Sequence, residues 1–145
     1  MPRPVTPPIA ADAIIELVDR PGRPIVLIER KYPPPGYAIP GGFMEAGETV
    51  EQAAVREALE ETGMQVRLTA LLGVYSEPGR DPRGQTVSVV YVAEAEGEPE
   101  ARDDAQALAI YPLDALPAPL AFDHARILAD YCRWRETGRL PRPLV

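Results

Sequence analysis

The sequence is short of the residues that staple or metallate small proteins. Cys132 is its only cysteine and His124 its only histidine. A single cysteine excludes an internal disulfide and suits a reducing compartment, so a cytoplasmic location is expected. No apolar run reaches the length of a membrane span. The stretch from Met1 to Pro8 lacks the apolar centre of a secretory signal. Basic charge is also scarce: 15 Lys and Arg stand against 22 Asp and Glu, a net charge of −7. That argues against nucleic acid or an anionic membrane as partner, since phosphate binding wants a basic stripe. A small phosphate substrate remains open, because a bound cation can hold it.

Proline, by contrast, is abundant, with 18 in 145 residues against a usual share of roughly 5%. The prolines cluster between apolar runs and at the ends, where they stiffen loops. The length fits one domain over residues 1–145, with proline-rich flexible ends near 1–8 and 139–145. The sequence leaves a homodimer open.

Apolar runs at Ala10 to Val18 and Pro24 to Glu29 read as two strands joined by a Pro21-Gly22 turn. Lys31 to Tyr37 is a proline-filled loop. Val50 to Thr62 reads as a helix, and Val66 to Ser76 as extended with a break near Gly73. Thr86 to Ala95 is the clearest strand, Leu108 to Pro112 a short one, and Asp123 to Thr137 a final helix with Asp123 as its N-cap. Strands outnumber helices. The expectation is an α/β (α+β) fold in which two helices cover a mixed β-sheet.

The chemical signal lies in the first helix. Thr49 with Gln52 has capping-box spacing, and Gly63 stands where a C′ glycine belongs. At about 100° per residue, Glu57, Glu60 and Glu61 share a face. Ala53 and Ala54 lie on that side one turn earlier, small enough for another backbone to approach. Val55 and Leu59 fall opposite and are expected to anchor the helix to the sheet. Three carboxylates at this spacing repel, and Arg56 alone cannot neutralise them. A divalent cation would turn the repulsion into attraction, and oxygen ligands favour Mg²⁺, Mn²⁺ or Ca²⁺ over zinc. A solvated acidic face is the plainer account of the helix taken alone. Likewise Gly41 and Gly42, just upstream, could let a ligand approach the backbone or merely make a tight turn.

Read as one segment, GFMEAGETVEQAAVREALEETGM from Gly42 to Met64 resembles the signature of the Nudix hydrolases. That signature is Gly, five residues, Glu, seven residues, then Arg-Glu-U-x-Glu-Glu-x-Gly-U, with U apolar. Gly42, Glu48, Arg56, Glu57, Ala58, Glu60, Glu61, Gly63 and Met64 fill every required place. The resemblance implies an α/β/α sandwich with a mixed sheet and Mg²⁺, with Mn²⁺ as the alternative cofactor. It implies hydrolysis of a pyrophosphate bond in a small-molecule nucleotide. By position, Glu57, Glu60, Glu61 and the carbonyl of Gly41 would be metal ligands, with Glu48 and Arg56 as a supporting ion pair. Glu61 would serve as base, with Glu57 beside it. Asp104 in the acidic loop is the other base candidate, although a plain solvated turn explains that loop as well.

A second stretch, GVYSEPGRDPRGQTVSVVYVA from Gly73 to Ala93, is similar to the matching region of ADP-ribose pyrophosphatases. Those enzymes carry a proline about fifteen residues past the signature glycine, the place of Pro78. AFDHARIL, from Ala121 to Leu128, is also seen in that group. This implies ADP-ribose as substrate, cleaved to AMP and ribose 5-phosphate. Arg30, Arg80 and Arg83 are the candidate substrate-binding arginines. A salt-bridged turn around Asp81 accounts for Arg80 or Arg83 equally well. His124 is expected to pack at the helix start. The rival substrates are an oxidised nucleoside triphosphate, a dinucleoside polyphosphate or a nucleotide sugar. The rival outside catalysis is an ADP-ribose sensor. The full glutamate set and the short stretch after Gly138 speak against it.

Overall fold

The computed structural model describes residues 1–102 and 105–143. In chain order the elements are β1 (Ile9–Leu17), β2 (Ile25–Arg30), β3 (Tyr37–Ala38), β4 (Gly41–Phe43), α1 (Val50–Thr62), β5 (Arg67–Tyr75), β6 (Val87–Ala95), β7 (Ala105–Tyr111) and α2 (His124–Thr137). The strands form one sheet in the order β3-β2-β1-β6-β5, with β4 paired to β1 and β7 to β2. β1 and β6 run parallel over nine residue pairs, whereas the other pairings are antiparallel. The sheet is therefore mixed, as expected. No helix among the described residues is long and apolar enough to cross a membrane.

Alternation along β1 assigns the two faces. Ala11, Ala13, Ile15 and Leu17 pack with Ala53, Ala54 and Ala58 of α1. Ile14 packs on the other face with Ile127, Leu128 and Tyr131 of α2. Each of those three side chains is almost fully buried, a gain of about 1.5–3 kcal/mol for an apolar side chain of that size. One helix covers each face, and the central strand carries both cores.

The far edge of β1 is divided. Ile15 and Glu16 pair with β2, whereas Ala10, Ala11 and Asp12 pair with β4. The Ala13 N–H donates to the Pro40 carbonyl (2.9 Å). β2 and β4 thus diverge from one strand, and the cleft opens beside their separation.

α1 has the expected bounds and its full capping box: the Gln52 N–H donates to Thr49 Oγ1 (3.1 Å), and the Thr49 N–H to Gln52 Oε1 (2.9 Å). Gly63 ends it at φ 72°, a left-handed position suited to glycine. Two expectations need correction. Val55 and Leu59 do not carry the anchoring face. Both are only partly buried, whereas Ala53, Ala54, Ala58, Glu61 and Thr62 are buried. The helix presses on the sheet with its alanine side, because small residues allow the closest approach, and the carboxylates are carried inward with it. Asp123 takes the N-cap position of α2 but makes no side-chain capping bond. Its carboxylate is engaged by Arg80 instead. The short β3 and β4, hidden among glycine and proline, were not legible as strands. The break expected in β5 falls between Leu71 and Gly73, where the register slips against β6.

Candidate active site

β4 is the hinge of the site. A side chain on Gly41 would strike the Asp12 carboxylate and the Ala11 carbonyl, and one on Gly42 would meet the Glu57 carboxylate. The two glycines admit carboxylates from both layers against a bare backbone. The Gly41 N–H donates to Glu61 Oε2 (3.0 Å), so Glu61, though 93% hidden, is anchored to the strand. Gly41, Gly42, Glu57, Glu61 and Asp12 all line one cleft of about 440 Å³.

Arg56 organises the outer side. Its guanidinium donates to Glu48 (2.7 and 3.1 Å), Glu57 (2.9 Å), Glu60 (3.2 Å) and the Phe43 carbonyl (3.0 Å). Hydrogen bonds from Arg56 hold the Glu48 carboxyl below its ordinary range. The expected Glu48–Arg56 pair is thus present, and it ties the loop before α1 to the helix. Glu60 is the more exposed glutamate, at 44% of its side chain, and is not part of the cleft wall. The structure brings Glu57, Glu61 and Gly41 together and leaves Glu60 at the surface beside Arg56. Asp104 lies outside the described residues.

Among the described residues, no three Asp, Glu, His or Cys groups converge closely enough to cage an ion. The donors in the cleft are nonetheless hard oxygens on a glycine-bared backbone, and Glu57 and Glu61 both face it. An open site of that kind suits Mg²⁺, which commonly takes one or two carboxylates and completes its shell with water and substrate phosphate. The residues present fit such a cation.

The inner half of the cleft is built on the α2 side of the sheet. Arg80 is buried there, donating from Nε and Nη2 to Asp123 (2.9 and 2.6 Å) and from Nη1 to Ser88 Oγ (2.8 Å). It lines the cleft with its donors turned to protein groups. Arg83 donates to both oxygens of Asp81 (3.1 and 2.9 Å), the salt-bridged turn that the sequence allowed. Its guanidinium also lies over the rings of Phe43 (5.9 Å) and Phe122 (5.2 Å). Arg30 donates from Nε to the Pro34 carbonyl (2.8 Å) and covers Phe122 at 4.8 Å. Arg30 and Arg83 therefore meet at the cleft mouth across one aromatic ring.

His124 is buried at the start of α2, as expected, and its Nδ1 accepts the Ile39 N–H (3.0 Å). Burial lowers its pKa to about 4, with Arg80 and Arg30 adding to the effect and Asp123 opposing it. The neutral ring consequently carries its proton on Nε2.

Asp12 was missed in the sequence. It is 5% exposed, and its Oδ2 has no hydrogen-bond partner among the described residues. Burial raises its pKa to about 7 against the pull of Arg80 and Ser88. The available signal was an acid inside the apolar run AADAII, at a position whose neighbour two residues on, Ile14, is core.

Three kinds of similarity accompany this geometry. A family model of the NUDIX domain matches residues 7–131. An ADP-ribose pyrophosphatase from Methanocaldococcus jannaschii is 48% identical over 132 residues, covering 89% of this chain and 75% of that protein. Two solved structures share the fold. The NUDIX domain of Shewanella oneidensis NrtR, complexed with ADP ribose, aligns at TM-score 0.78 and 26% identity, covering 92% of this chain and 90% of its own. A bifunctional NMN adenylyltransferase/ADP ribose pyrophosphatase from Francisella tularensis, complexed with AMP and a Mn ion, aligns at TM-score 0.70 and 28% identity, covering 90% of this chain and 42% of its own. With Glu57 and Glu61 of the signature on one cleft and a NUDIX model matching residues 7–131, the chain belongs to the Nudix hydrolases.

Proposed function

We propose that the chain hydrolyses ADP-ribose to AMP and ribose 5-phosphate, with Mg²⁺ or Mn²⁺ as cofactor, in the cytoplasm. The observation that carries this reading is the 48% identity, over 89% of the chain, to a protein named ADP-ribose pyrophosphatase. The cation, when bound, neutralises the diphosphate oxygens and acidifies a water. Glu57, Glu61 and the Gly41 carbonyl would hold it, with Glu60 joining from the surface side. Glu48 and Arg56 keep the carboxylates aimed. Glu61 takes the proton of the attacking water, with Asp104 as the other candidate base. Water adds to one phosphorus, the bridging P–O bond breaks, and its electron pair leaves with the other phosphate. Arg30 and Arg83, at the mouth, stabilise the phosphate charge, and Arg80 braces the wall behind them.

Steady-state rates on ADP-ribose, ATP and oxidised dGTP test the substrate. The highest kcat/KM is expected on ADP-ribose, with activity lost on chelation and restored by Mg²⁺. A higher kcat/KM on either triphosphate overturns the substrate and leaves the family untouched. Activity that survives exhaustive chelation overturns the cofactor.

A further inference from the structure

A buried carboxylate oxygen without a partner is rare, because its desolvation goes uncompensated. Among the described residues Asp12 carries one, on the central strand and in the wall of the cleft. The neighbouring Arg80 does not saturate it, since its hydrogen bonds go to Asp123, Ser88 and the Thr86 carbonyl. The cleft is also lined by His124. Its Nδ1 is already taken by the Ile39 N–H, so Nε2 is the nitrogen that donates. Arg80, in the wall of the same cleft, is bonded to Asp123, the residue before His124.

An acceptor and a donor in the wall of one cleft select among ligand groups. A phosphate only accepts, and the Asp12 carboxylate would repel it. A cation only attracts acceptors, and Arg80 stands beside Asp12. A hydroxyl both donates and accepts, and a sugar carries several, so it can satisfy both residues. We propose that Asp12 and His124 form a hydroxyl-reading pair, and that the group they read is the sugar beyond the diphosphate. This rests on the reading of the substrate as a nucleoside diphosphate joined to a sugar. It adds a reason for selectivity: a terminal phosphate in the sugar's place meets a buried carboxylate, and a sugar meets the acceptor it needs.

The test uses the two products as inhibitors of the full chain: ribose 5-phosphate, which carries the sugar, and AMP, which carries the other end. Asp12→Asn keeps the volume and removes the charge. His124→Asn keeps an oxygen for the Ile39 N–H and removes the Nε2–H. Each should raise the Ki of ribose 5-phosphate by about tenfold, the size of one lost charge-assisted hydrogen bond. The KM for ADP-ribose should rise with it, while the Ki of AMP stays within about twofold. A purely structural role would move both inhibitors alike, and that outcome overturns the proposal. So does an unchanged Ki for ribose 5-phosphate, or a rise in only one of the two variants. Circular dichroism and Tm verify the fold of each variant, and Asp12→Ser replaces Asp12→Asn if the latter does not fold. Wild-type hydrolysis of ADP-ribose with indifferent variants overturns this inference alone. A wild type that neither hydrolyses ADP-ribose nor responds to ribose 5-phosphate overturns the substrate reading as well.

Discussion

Asp12 and Glu16 stand four residues apart on β1, on the same face, and both are hidden from solvent, at 5% and 3% exposure. Their surroundings differ. Glu16 accepts the Tyr131 hydroxyl (2.5 Å) and an Arg23 N–H (3.3 Å), with Arg135 3.9 Å away. Arg135 in turn donates to the carbonyls of Gly22 and Arg23. That acid is a fastening: it ties α2 and the β1–β2 turn to the strand. Among the described residues, Asp12 ties nothing down with its Oδ2. One strand thus carries a saturated acid where β1 is paired to β2 and an unsaturated one where it is paired to β4, beside the cleft. A buried polar group that the fold itself satisfies serves the fold, and one left unsatisfied points to a ligand.

Substitutions can break or sharpen that contrast. The largest effect belongs to the site end. Glu61→Gln, which hardly changes volume, should lower kcat by about 10² or more with the fold intact, since removing a ligand or base has that cost. Retention of more than about one tenth of the rate would contradict the role given to Glu61. At the fastening end, Glu16→Ala strands the buried Tyr131 hydroxyl. It should cost about 3 kcal/mol in urea unfolding without raising the KM for substrate. A rise in KM with undiminished stability would reverse the assignment of the two ends.

His124 lies between these extremes and reports through pH. Its folded pKa is depressed to about 4 from an ordinary 6.5. Between those values the unfolded chain binds a proton that the folded chain refuses, so stability falls as pH drops from about 6.5 toward 4 and is undiminished above. At about 1.4 kcal/mol per pKa unit the full loss is on the order of 3 kcal/mol. Unfolding at pH 7.5 and 4.5 should show a smaller drop for His124→Asn than for the wild type, and equal drops would exclude the histidine as the cause. The smallest effect is the sharpest comparison. Asp12→Asn should change stability at pH 8 by less than about 1 kcal/mol, or increase it, because a buried charge lacking a full set of partners is removed. A loss as large as that of Glu16→Ala would make Asp12 a second fastening.

Much of this was legible in the sequence. The α1 helix announced itself through Thr49, Gln52 and Gly63, whose capping chemistry is local and needs no tertiary partner. The acid spacing of Glu57 and Glu61 was equally readable, whereas the Glu48–Arg56 pair followed from the resemblance to the Nudix signature. β3 and β4 were not, since two or three residues of strand exist only because β1 and β2 offer them edges. Arg80 illustrates a different loss of information: an arginine in a turn reads as a phosphate contact, yet its guanidinium is drawn inward by Asp123 and Ser88, 43 and 8 residues away. Asp123, read as a helix cap, was diverted by the same encounter.

What the sequence determined by itself is whatever depends on neighbours along the chain: the capped helix, its row of glutamates, the strand alternation that sends Ile14 one way and Ile15 the other. What only the tertiary structure decided is which acids meet which partners. Asp12 and Glu16 are indistinguishable as acids in an apolar run, and nothing within several residues tells them apart. Their fates diverge because Tyr131 arrives beside one from more than a hundred residues away, and the bare backbone of Gly41 arrives beside the other. Hydrogen bonding acts over about 3 Å, and only the completed fold sets which groups come within that distance.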